Sequence, residues 1–268
     1  MSITAFAKAQ YSVSACAFAH NDYWHKRPLY DALNNGYTHV EADVYLRHDK
    51  LIVAHLLPSL KKHNTLERLY LDPLMNCIKG ADSTTRRPAY PLTLMIDIKS
   101  NGERTYEVLN QLLQKYRSVL SGVEDGHFIQ REITIVLSGH KPVKTLKAQS
   151  SRWAFIDEDL KTVARDTTAQ NIYQTASCKY SSLIQWRGKG DLPFYEKQRL
   201  CRFVNIAHKF GKKVRLWKSP DNPVVWNALL QCGVDLINTD KLVKLRQFLT
   251  GHTIVAVGAK HLVAGDNF

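Results

Sequence analysis

Long hydrophobic runs are absent from this sequence. Although 44% of its 268 residues are hydrophobic, no apolar run approaches the roughly 18 residues that a membrane-spanning helix requires. No GxGxxG motif follows any predicted strand, so the main signature of a dinucleotide-binding sheet is missing. The length and the apolar fraction are sufficient for one large hydrophobic core or for two smaller ones.

Cysteines are few and irregularly spaced. The five cysteines are Cys16, Cys77, Cys178, Cys201 and Cys232. No two of them form a CxxC pair, so a zinc site with the usual ligand spacing is disfavoured. Because the number is odd, at least one thiol is free. We expect five reduced or partly buried cysteines, with one disulfide as the alternative.

Acidic residues are scarce relative to basic ones. The sequence has 24 Asp and Glu against 37 Lys and Arg, which gives a formal net charge of +13. Such a surface attracts phosphate-bearing partners, namely nucleic acid, anionic lipid or phosphoester substrates, although ordinary solubilising charge explains it equally well. No aromatic-basic platform or recognition helix stands out, so nucleic acid is not expected. We expect a monomer and leave a membrane surface open as a partner.

Apolar runs alternate with helical patterns along most of the chain. Predicted strands cover residues 13–20, 37–45, 51–55, 92–100, 132–138, 152–157, 180–186, 212–217 and 234–239. Predicted helices cover residues 27–36, 65–80, 102–120, 192–211, 222–233 and 241–250. Alternating β and α units predict a parallel sheet. About eight such units favour an α/β fold of the (β/α)8 TIM-like barrel type in a single domain, with a Rossmann-like sheet as the runner-up.

The two ends of the chain depart from this pattern. Near the start, Ala7 and Ala9 precede Gln10 as small residues do at the end of a signal peptide, but only six residues come before Ala7. The pattern favours an exported protein, periplasmic or secreted, with a cytoplasmic protein as the alternative. We divide the chain into an N-terminal lead at 1–13, a barrel at 14–250 and a C-terminal extension at 251–268.

Five polar residues close short apolar strands. They are His20, Glu41, Asp43, His55 and Asp97, in the segments AFAHND, HVEADVYL, LIVAHL and TLMIDIKS. Strand side chains alternate faces, so Glu41 and Asp43 share one face, as do Asp97 and Lys99. In a barrel this face points inward at the C-terminal mouth, where barrel enzymes place their chemistry.

Three carboxylates at one mouth repel each other unless a cation lies between them. Glu41, Asp43 and Asp97 are therefore the candidate ligands of one divalent metal, Mg²⁺ or Ca²⁺, both of which prefer oxygen ligands. The alternative is that these residues form ion pairs with Lys99, Arg47 or Arg215. His20 and His55 flank the candidate metal site, and one imidazole there can accept a proton while the other donates one.

Longer motifs extend the pattern over residues 14–249. The sequence reads HNDY at 20–23, PLYDAL at 28–33, VEADV at 40–44, TLERLYLDPL at 65–74, RLWKSPD at 215–221 and GVDLINTD at 233–240. With the spacing of the five polar residues, these motifs resemble the superfamily of glycerophosphodiester phosphodiesterases and phosphatidylinositol-specific phospholipases C, to which sphingomyelinase D is related. The resemblance is closest to the branch that contains the fungal "altered inheritance of mitochondria protein 6" group.

The resemblance implies a metal-dependent phosphodiesterase that cleaves a phospholipid or a glycerophosphodiester-type substrate. Glu41, Asp43 and Asp97 would hold the metal, His20 and His55 would be the catalytic pair, and Lys99 would meet the phosphate. Where a hydroxyl neighbours the phosphate, a cyclic product can form first. A barrel that binds anionic lipid or phosphate ligands without turnover is the alternative.

The sequence also departs from the best-known relatives. Asn21 follows the first histidine where glycerophosphodiesterases have Arg-Gly, and by resemblance to calcium-dependent phospholipases C it is a candidate fourth metal ligand. Leu56 follows the second histidine where Asp is usual. Trp217 closes a late strand and is expected to wall the pocket, with a core position as the alternative. Asp240 is interpreted as the cap of the following helix. Ser138, Asp157 and Gln185 are further candidates for the pocket lining.

Overall fold

The computed structural model describes residues 8–10, 12–56, 61–80, 91–165, 172–251 and 253–255. Eight parallel strands form its main sheet. They are β1 (Ala17–Ala19), β2 (His39–Arg47), β3 (Leu92–Ile98), β4 (Ile133–Gly139), β5 (Phe155–Asp159), β6 (Tyr173–Lys179), β7 (Lys213–Trp217) and β8 (Ile237–Thr239).

The sheet closes on itself. Neighbouring strands follow the order β7, β6, β5, β4, β3, β2, β1, β8, and a parallel bridge between Arg215 and Leu236 joins β7 to the start of β8. The fold is therefore a single (β/α)8 barrel, as the alternation of apolar runs predicted.

Helices lie between the strands and cover the outside of the barrel. They are α1 (Val13–Cys16), α2 (Tyr30–Asn34), α3 (Asp72–Ile78), α4 (Gly102–Leu113), α5 (Val143–Ala148), α6 (Phe194–Lys209), α7 (Pro223–Gln231) and α8 (Leu242–Gly251). Asn101 and Asn222 cap α4 and α7 with their side-chain oxygens, which satisfies backbone N–H groups that have no partner within the helix. A π-helical turn at Glu67–Leu71 leads into α3.

The alternation of faces along β2 and β3 is as predicted. Val40, Ala42 and Val44 belong to the large apolar cluster beneath the helices. Met95 instead belongs to a second apolar cluster, with Phe18, Val123, Val136, Phe155 and Leu236, which fills the barrel interior. Above Met95 on the same inward face lies Asp97. The interior is thus apolar below and polar at the C-terminal mouth.

Some predicted elements are wrong. Residues 180–186 are not a strand; the strand is Tyr173–Lys179, directly before them. Its inward side chains Thr175 and Ser177 donate hydrogen bonds to Asp157, so this strand shows no apolar run. Residues 13–16 form α1 rather than strand. The short helix α5 was not predicted.

The predicted strand at 51–55 exists as Lys50–Val53, but it is not a barrel strand. It pairs antiparallel with the end of β2 and forms a hairpin above the mouth. The strands Gly122–Glu124 and His127–Ile129 pair antiparallel and form a second hairpin, which precedes β4. The hairpin after β2 carries His55 back over the barrel, because Ala54 N–H donates to the carbonyl of Asp43.

Two cysteines are joined. Cys201 in α6 and Cys232 just after α7 form a disulfide across 31 residues. The other three cysteines are buried thiols outside any disulfide. The expectation of five reduced cysteines is therefore wrong, and the alternative of one disulfide is confirmed.

The described parts of the lead and the extension contact each other. Lys8–Gln10 pairs antiparallel with Thr253–Val255, apart from the barrel sheet. In the predicted lead, residues 1–7, which include Ala7, and residue 11 lie outside the described residues. In the predicted extension, residue 252 and residues 256–268 do. Among the described helices, none is both long enough and apolar enough to cross a membrane.

Candidate active site

An open pocket of about 790 Å³ occupies the C-terminal mouth of the barrel. Seven of the eight predicted site residues line it, namely His20, Asn21, Glu41, His55, Asp97, Lys99 and Trp217. The eighth, Asp43, is 1% exposed and contacts His55 and Lys99 from below. The structure thus brings together residues from five separate segments of the sequence.

Glu41, Asp43 and Asp97 form a carboxylate cluster. One oxygen from each lies within 4.8 Å of the others. Asp43 and Asp97 are register partners on β2 and β3, and Glu41 precedes Asp43 by two residues on the same face. Burial raises the pKa of Asp43, and the charges of Glu41 and Asp97 add to this, while Lys99 opposes it.

Two oxygens of this cluster have no hydrogen-bond partner among the described residues. Asp43 Oδ1 and Asp97 Oδ1 are buried and accept no hydrogen bond from any described residue. A buried carboxylate oxygen without a partner is costly, so such atoms mark a place for a ligand. Gly139, at φ +69°, lies against Asp97 Oδ1, and a side chain there would collide with that oxygen. An all-oxygen donor set with free lone pairs fits a hard divalent cation.

Two positively charged side chains, Lys99 and Arg215, contact the carboxylate cluster. Lys99 Nζ lies 2.6 Å from Asp97 Oδ2 and 3.1 Å from Asp43 Oδ2. Burial lowers the pKa of Lys99, but the charges and hydrogen bonds of Asp97 and Asp43 outweigh it and raise the pKa overall. Lys99 therefore stays an ammonium that binds two of the candidate ligands, while it also lines the pocket.

The second cation is Arg215, which is 4% exposed. Its Nη1 lies 2.5 Å from Glu41 Oε2, and its Nε donates to Ser177 Oγ at 3.2 Å. The guanidinium stacks 4.3 Å from the ring centre of Phe18, at the boundary between the polar mouth and the apolar interior. Of the ion pairs weighed from the sequence, those with Lys99 and Arg215 are present. Arg215 holds the orientation of Glu41.

His20 is held in place by the carboxylate of Asp240. His20 Nδ1 donates to Asp240 Oδ1 at 2.7 Å, because a carboxylate can only accept. Asp240, interpreted from the sequence as a helix cap, thus orients His20 instead. Burial lowers the pKa of His20. The hydrogen bond to Asp240 and the charge of Glu41 raise it by more than burial lowers it, so the net shift of the pKa is upward. His20 Nε2 faces the cluster, 3.9 Å from Glu41 Oε1.

His55 is oriented in the same way by Asp43. His55 Nδ1 lies 3.1 Å from Asp43 Oδ2 and 3.1 Å from the hydroxyl of Tyr23. Since the carboxylate is an acceptor, Nδ1 carries the proton and Nε2 is left for the pocket. Trp24 packs edge-on against the His55 ring, with the two ring centres 5.0 Å apart. Each catalytic candidate therefore has a carboxylate on Nδ1, while its Nε2 forms no hydrogen bond to a residue in the described part of the chain.

Asn21 lies between these two groups. Its backbone is left-handed, with φ 47°, and its side chain is buried. The Tyr23 hydroxyl donates to Asn21 Oδ1 at 2.7 Å, and the amide nitrogen lies beside the pair formed by His20 and Asp240. Asn21 therefore links the two histidines structurally, and its role as a fourth metal ligand stays a prediction.

Trp217 ends β7 and is half-buried in the pocket wall, so the predicted wall position is confirmed over a core position. Ser138 and Asp157 also line the pocket, as predicted. Gln185 does not, because its side chain donates to the carbonyl of Ser181. The strand-end rule that selected His20 and Asp97 would also have selected Asp240, which directly follows β8.

Sequence comparisons find related domains along most of the chain. Residues 8–157 match the model of the AIM6-like phosphodiesterase domain. Residues 213–242 match that of the glycerophosphoryl diester phosphodiesterase family. The first match carries the cluster formed by Glu41, Asp43 and Asp97 together with both histidines. The second carries Arg215, Trp217 and Asp240.

Two relatives and one solved structure align with most of the chain. The chain is 30% identical over 265 residues to "Altered inheritance of mitochondria protein 6" of Eremothecium gossypii, a match covering 86% of this chain and 68% of that protein. A homologue from Arthroderma benhamiae is 28% identical over 250 residues, covering 83% of this chain and 80% of that protein. A solved phosphatidylinositol-specific phospholipase C from Listeria monocytogenes aligns over 91% of this chain and 95% of its own, with 11% identity and a TM-score of 0.45.

Proposed function

Because the chain belongs to the family of AIM6-like phosphodiesterase domains, we propose that it is a metal-dependent phosphodiesterase that uses two histidines as acid and base. Its substrate is a phospholipid or a glycerophosphodiester-type molecule. The single observation that carries the proposal is the convergence of the carboxylate cluster and both imidazoles at one open pocket.

The two histidines are matched to proton transfer in opposite directions. His20 and His55 each direct Nδ1–H to a carboxylate, Asp240 and Asp43 respectively. A carboxylate on Nδ1 fixes the tautomer and stabilises the imidazolium that forms when Nε2 takes a proton. One Nε2 takes the proton from the attacking oxygen, and the other supplies a proton to the leaving oxygen.

The cluster formed by Glu41, Asp43 and Asp97 would hold the divalent cation, Mg²⁺ or Ca²⁺, with the free oxygens Asp43 Oδ1 and Asp97 Oδ1 among its donors. When bound, the cation polarises the phosphoryl oxygens and offsets the charge that develops on them. Lys99 contacts two of the residues that would hold the cation and also lines the pocket, which supports a role for its ammonium beside the substrate phosphate. Arg215 keeps Glu41 directed into the mouth.

A panel of phosphodiesters followed by phosphorus NMR tests this function. The panel contains glycerophosphodiesters, diacyl phospholipids and a generic chromogenic diester, each with Mg²⁺, Ca²⁺ or Mn²⁺. We expect one class to be cleaved by the wild type and not by His20→Ala. A cyclic phosphate product would identify a substrate hydroxyl as the nucleophile, and a monoester would identify water or rapid ring opening. No turnover of any diester with any of the three metals would refute the proposal.

A second candidate is a barrel that binds anionic ligands without turnover. One observation favours it: the charges of Lys99 and Arg215 offset part of the negative charge of the carboxylate cluster. In that case phosphodiester binding would be unaffected by His55→Ala, and no product would be released. The matched carboxylates on both histidines favour the enzyme, because a binding site has no need of two oriented imidazoles.

We further propose that the protein works in an oxidising compartment, in line with the prediction of export. The pairing of Cys201 with Cys232 supports this, because disulfides persist in exported proteins and are rare in the cytosol. Counting free thiols in protein isolated from its native source, without reductant, tests the compartment.

A further inference from the structure

Large apolar side chains are exposed mainly at one end of the barrel. Seven such side chains are exposed among the described residues, and six of them lie either between a strand end and the next helix or in the first two residues of that helix. These six, here called the mouth face, are Trp24 (60% exposed), Leu56 (60%), Phe194 (73%), Tyr195 (64%), Val224 (53%) and Val243 (50%). The seventh, Phe128, is 45% exposed.

The topology explains why the six share an end. The carboxyl ends of the parallel strands all point to the mouth, so each helix that follows a strand begins there. Phe194 and Tyr195 are the first two residues of α6, and Val224 and Val243 are the second residues of α7 and α8. Phe128 lies on the hairpin that precedes β4, at the opposite end. The six exposed apolar groups therefore lie at the same end of the barrel as the pocket, and Trp24 lines it.

Hydrogen bonds hold the first turns of α6 against the connection that precedes this helix. Glu196 accepts the backbone N–H groups of Gln185 and Trp186, and Arg199 donates to the carbonyl of Leu183. Phe194 and Tyr195 thus project from an anchored helix end. Trp24 is likewise fixed beside the pocket by its contact with His55. These side chains are exposed although their backbone is well held, so their exposure is a built feature of the surface.

The charge of this end is complementary to an anionic surface. In the described strand-to-helix connections, basic residues outnumber acidic ones. Exposed lysines there include Lys26, Lys61, Lys161, Lys189 and Lys218. The acidic residues of these connections include the fully buried Asp22, the half-exposed Asp240, which bonds to His20, and the exposed Asp49 and Asp191. Apolar side chains interspersed with lysines are the composition that binds an anionic interface, through apolar burial together with charge attraction.

We propose that the mouth face docks the protein on an anionic lipid surface with the catalytic pocket turned toward the head groups. The proposal rests on the proposed function, since it makes the substrate a phosphodiester held in that surface. Docking excludes water from the rim of the pocket and brings the head group to the oriented Nε2 atoms of His20 and His55. The lipid surface thereby becomes the source of the substrate.

Vesicle sedimentation with a matched pair of variants tests the docking. The probes are phosphatidylcholine vesicles with or without phosphatidylserine, in chelator so that turnover does not interfere. The double variant Phe194→Ser with Tyr195→Ser removes two exposed aromatics at the mouth, and Phe128→Ser removes one at the opposite end. We expect the wild type to bind only the anionic vesicles, the double variant to bind at least about tenfold more weakly, and Phe128→Ser to bind like the wild type.

Cleavage of a soluble chromogenic diester provides the second readout, and we expect the double variant to retain the wild-type rate. Equal binding to neutral vesicles, equal binding by the double variant, or an equal loss in Phe128→Ser would overturn the docking proposal. So would a dimer in sedimentation equilibrium that the double variant disperses, since a second copy would then cover the mouth face. If no diester is cleaved but anionic vesicles still bind through Phe194 and Tyr195, the proposed function fails and the docking stands.

Discussion

Asp43 and Asp97 lie directly opposite each other on neighbouring parallel strands, and each keeps one buried carboxylate oxygen without a partner among the described residues. Their other oxygens share the ammonium of Lys99. The pair is thus satisfied on one side and free on the other. This asymmetry is what a cation site requires, because the protein holds the carboxylates in place while leaving donors for the ion.

The first prediction concerns ion binding by this pair. Mg²⁺ or Ca²⁺ should raise the unfolding temperature of the wild type, because an ion bound only to the folded state at 100 times its dissociation constant adds about 2.7 kcal/mol of stability. Asp97→Asn should abolish the shift. Asp159→Asn is the matched control, since Asp159 also lines the pocket but lies outside the cluster. Differential scanning calorimetry measures both, and an unchanged ion-dependent shift in Asp97→Asn would count against the site.

The second prediction concerns the pH dependence of turnover. Asp240 helps to raise the pKa of His20, so Asp240→Asn should lower it. The limb of the pH profile of kcat/KM that reports His20 should then move to lower pH, while the other limb stays. If the acidic limb moves, His20 is the base; if the alkaline limb moves, it is the acid. A shift to higher pH, or no shift in either limb, would contradict the role assigned to Asp240.

The third prediction concerns stability in acid. Burial lowers the pKa of His39 to about 3, with a smaller contribution from Lys213. The unfolded chain then binds more protons than the folded one between pH 6.5 and 3, so stability falls as the pH falls through this window. Between pH 7 and pH 4 the wild type should lose about 3 kcal/mol more than His39→Asn. Urea unfolding at both pH values measures this, and the exposed His63→Asn is the control.

The fourth prediction concerns the disulfide. Without reductant, alkylation of the unfolded protein should label three of the five cysteines, leaving Cys201 and Cys232 protected. Because the bond closes a loop of 31 residues, its reduction should lower the free energy of unfolding by about 3 to 4 kcal/mol. Mass spectrometry gives the first number and chemical unfolding the second. Labelling of all five cysteines in protein from its native compartment would contradict both the bond and the proposed localisation.

The fold and most of the site follow from patterns that are local in the sequence. Period-two alternation in residues 39–44 and 94–99 was sufficient to place Glu41 with Asp43, and Asp97 with Lys99, on inward faces. That rule works because the barrel wall is apolar outside and polar at the inner mouth, so the two faces differ in composition. The same rule also applies to Asp240, because this residue directly follows the three-residue strand β8. Its position before α8 instead suggested a helix cap.

Other features depend on contacts that no local pattern carries. Strand β6 was missed because Thr175 and Ser177 satisfy the inward carboxylate of Asp157, which gives the strand a polar composition. Arg215 was weighed only as an ion-pair partner, and its place between Glu41 and Phe18 depends on strands far apart in sequence. The disulfide also depends on packing, since Cys201 and Cys232 approach only when α6 and the end of α7 pack beside each other over the paired strands β6 and β7.

The most direct measurement of the central claim is the rate of phosphodiester cleavage with and without a divalent cation, in the wild type and in one histidine variant. The wild type should cleave its best diester with Mg²⁺ or Ca²⁺ and lose the activity in chelator. His55→Ala should lose about 10²- to 10⁴-fold in kcat, whereas His140→Ala, which changes an exposed histidine near the same end, should not. Cleavage that persists in chelator, or that survives in His55→Ala, would contradict a metal-dependent two-histidine mechanism.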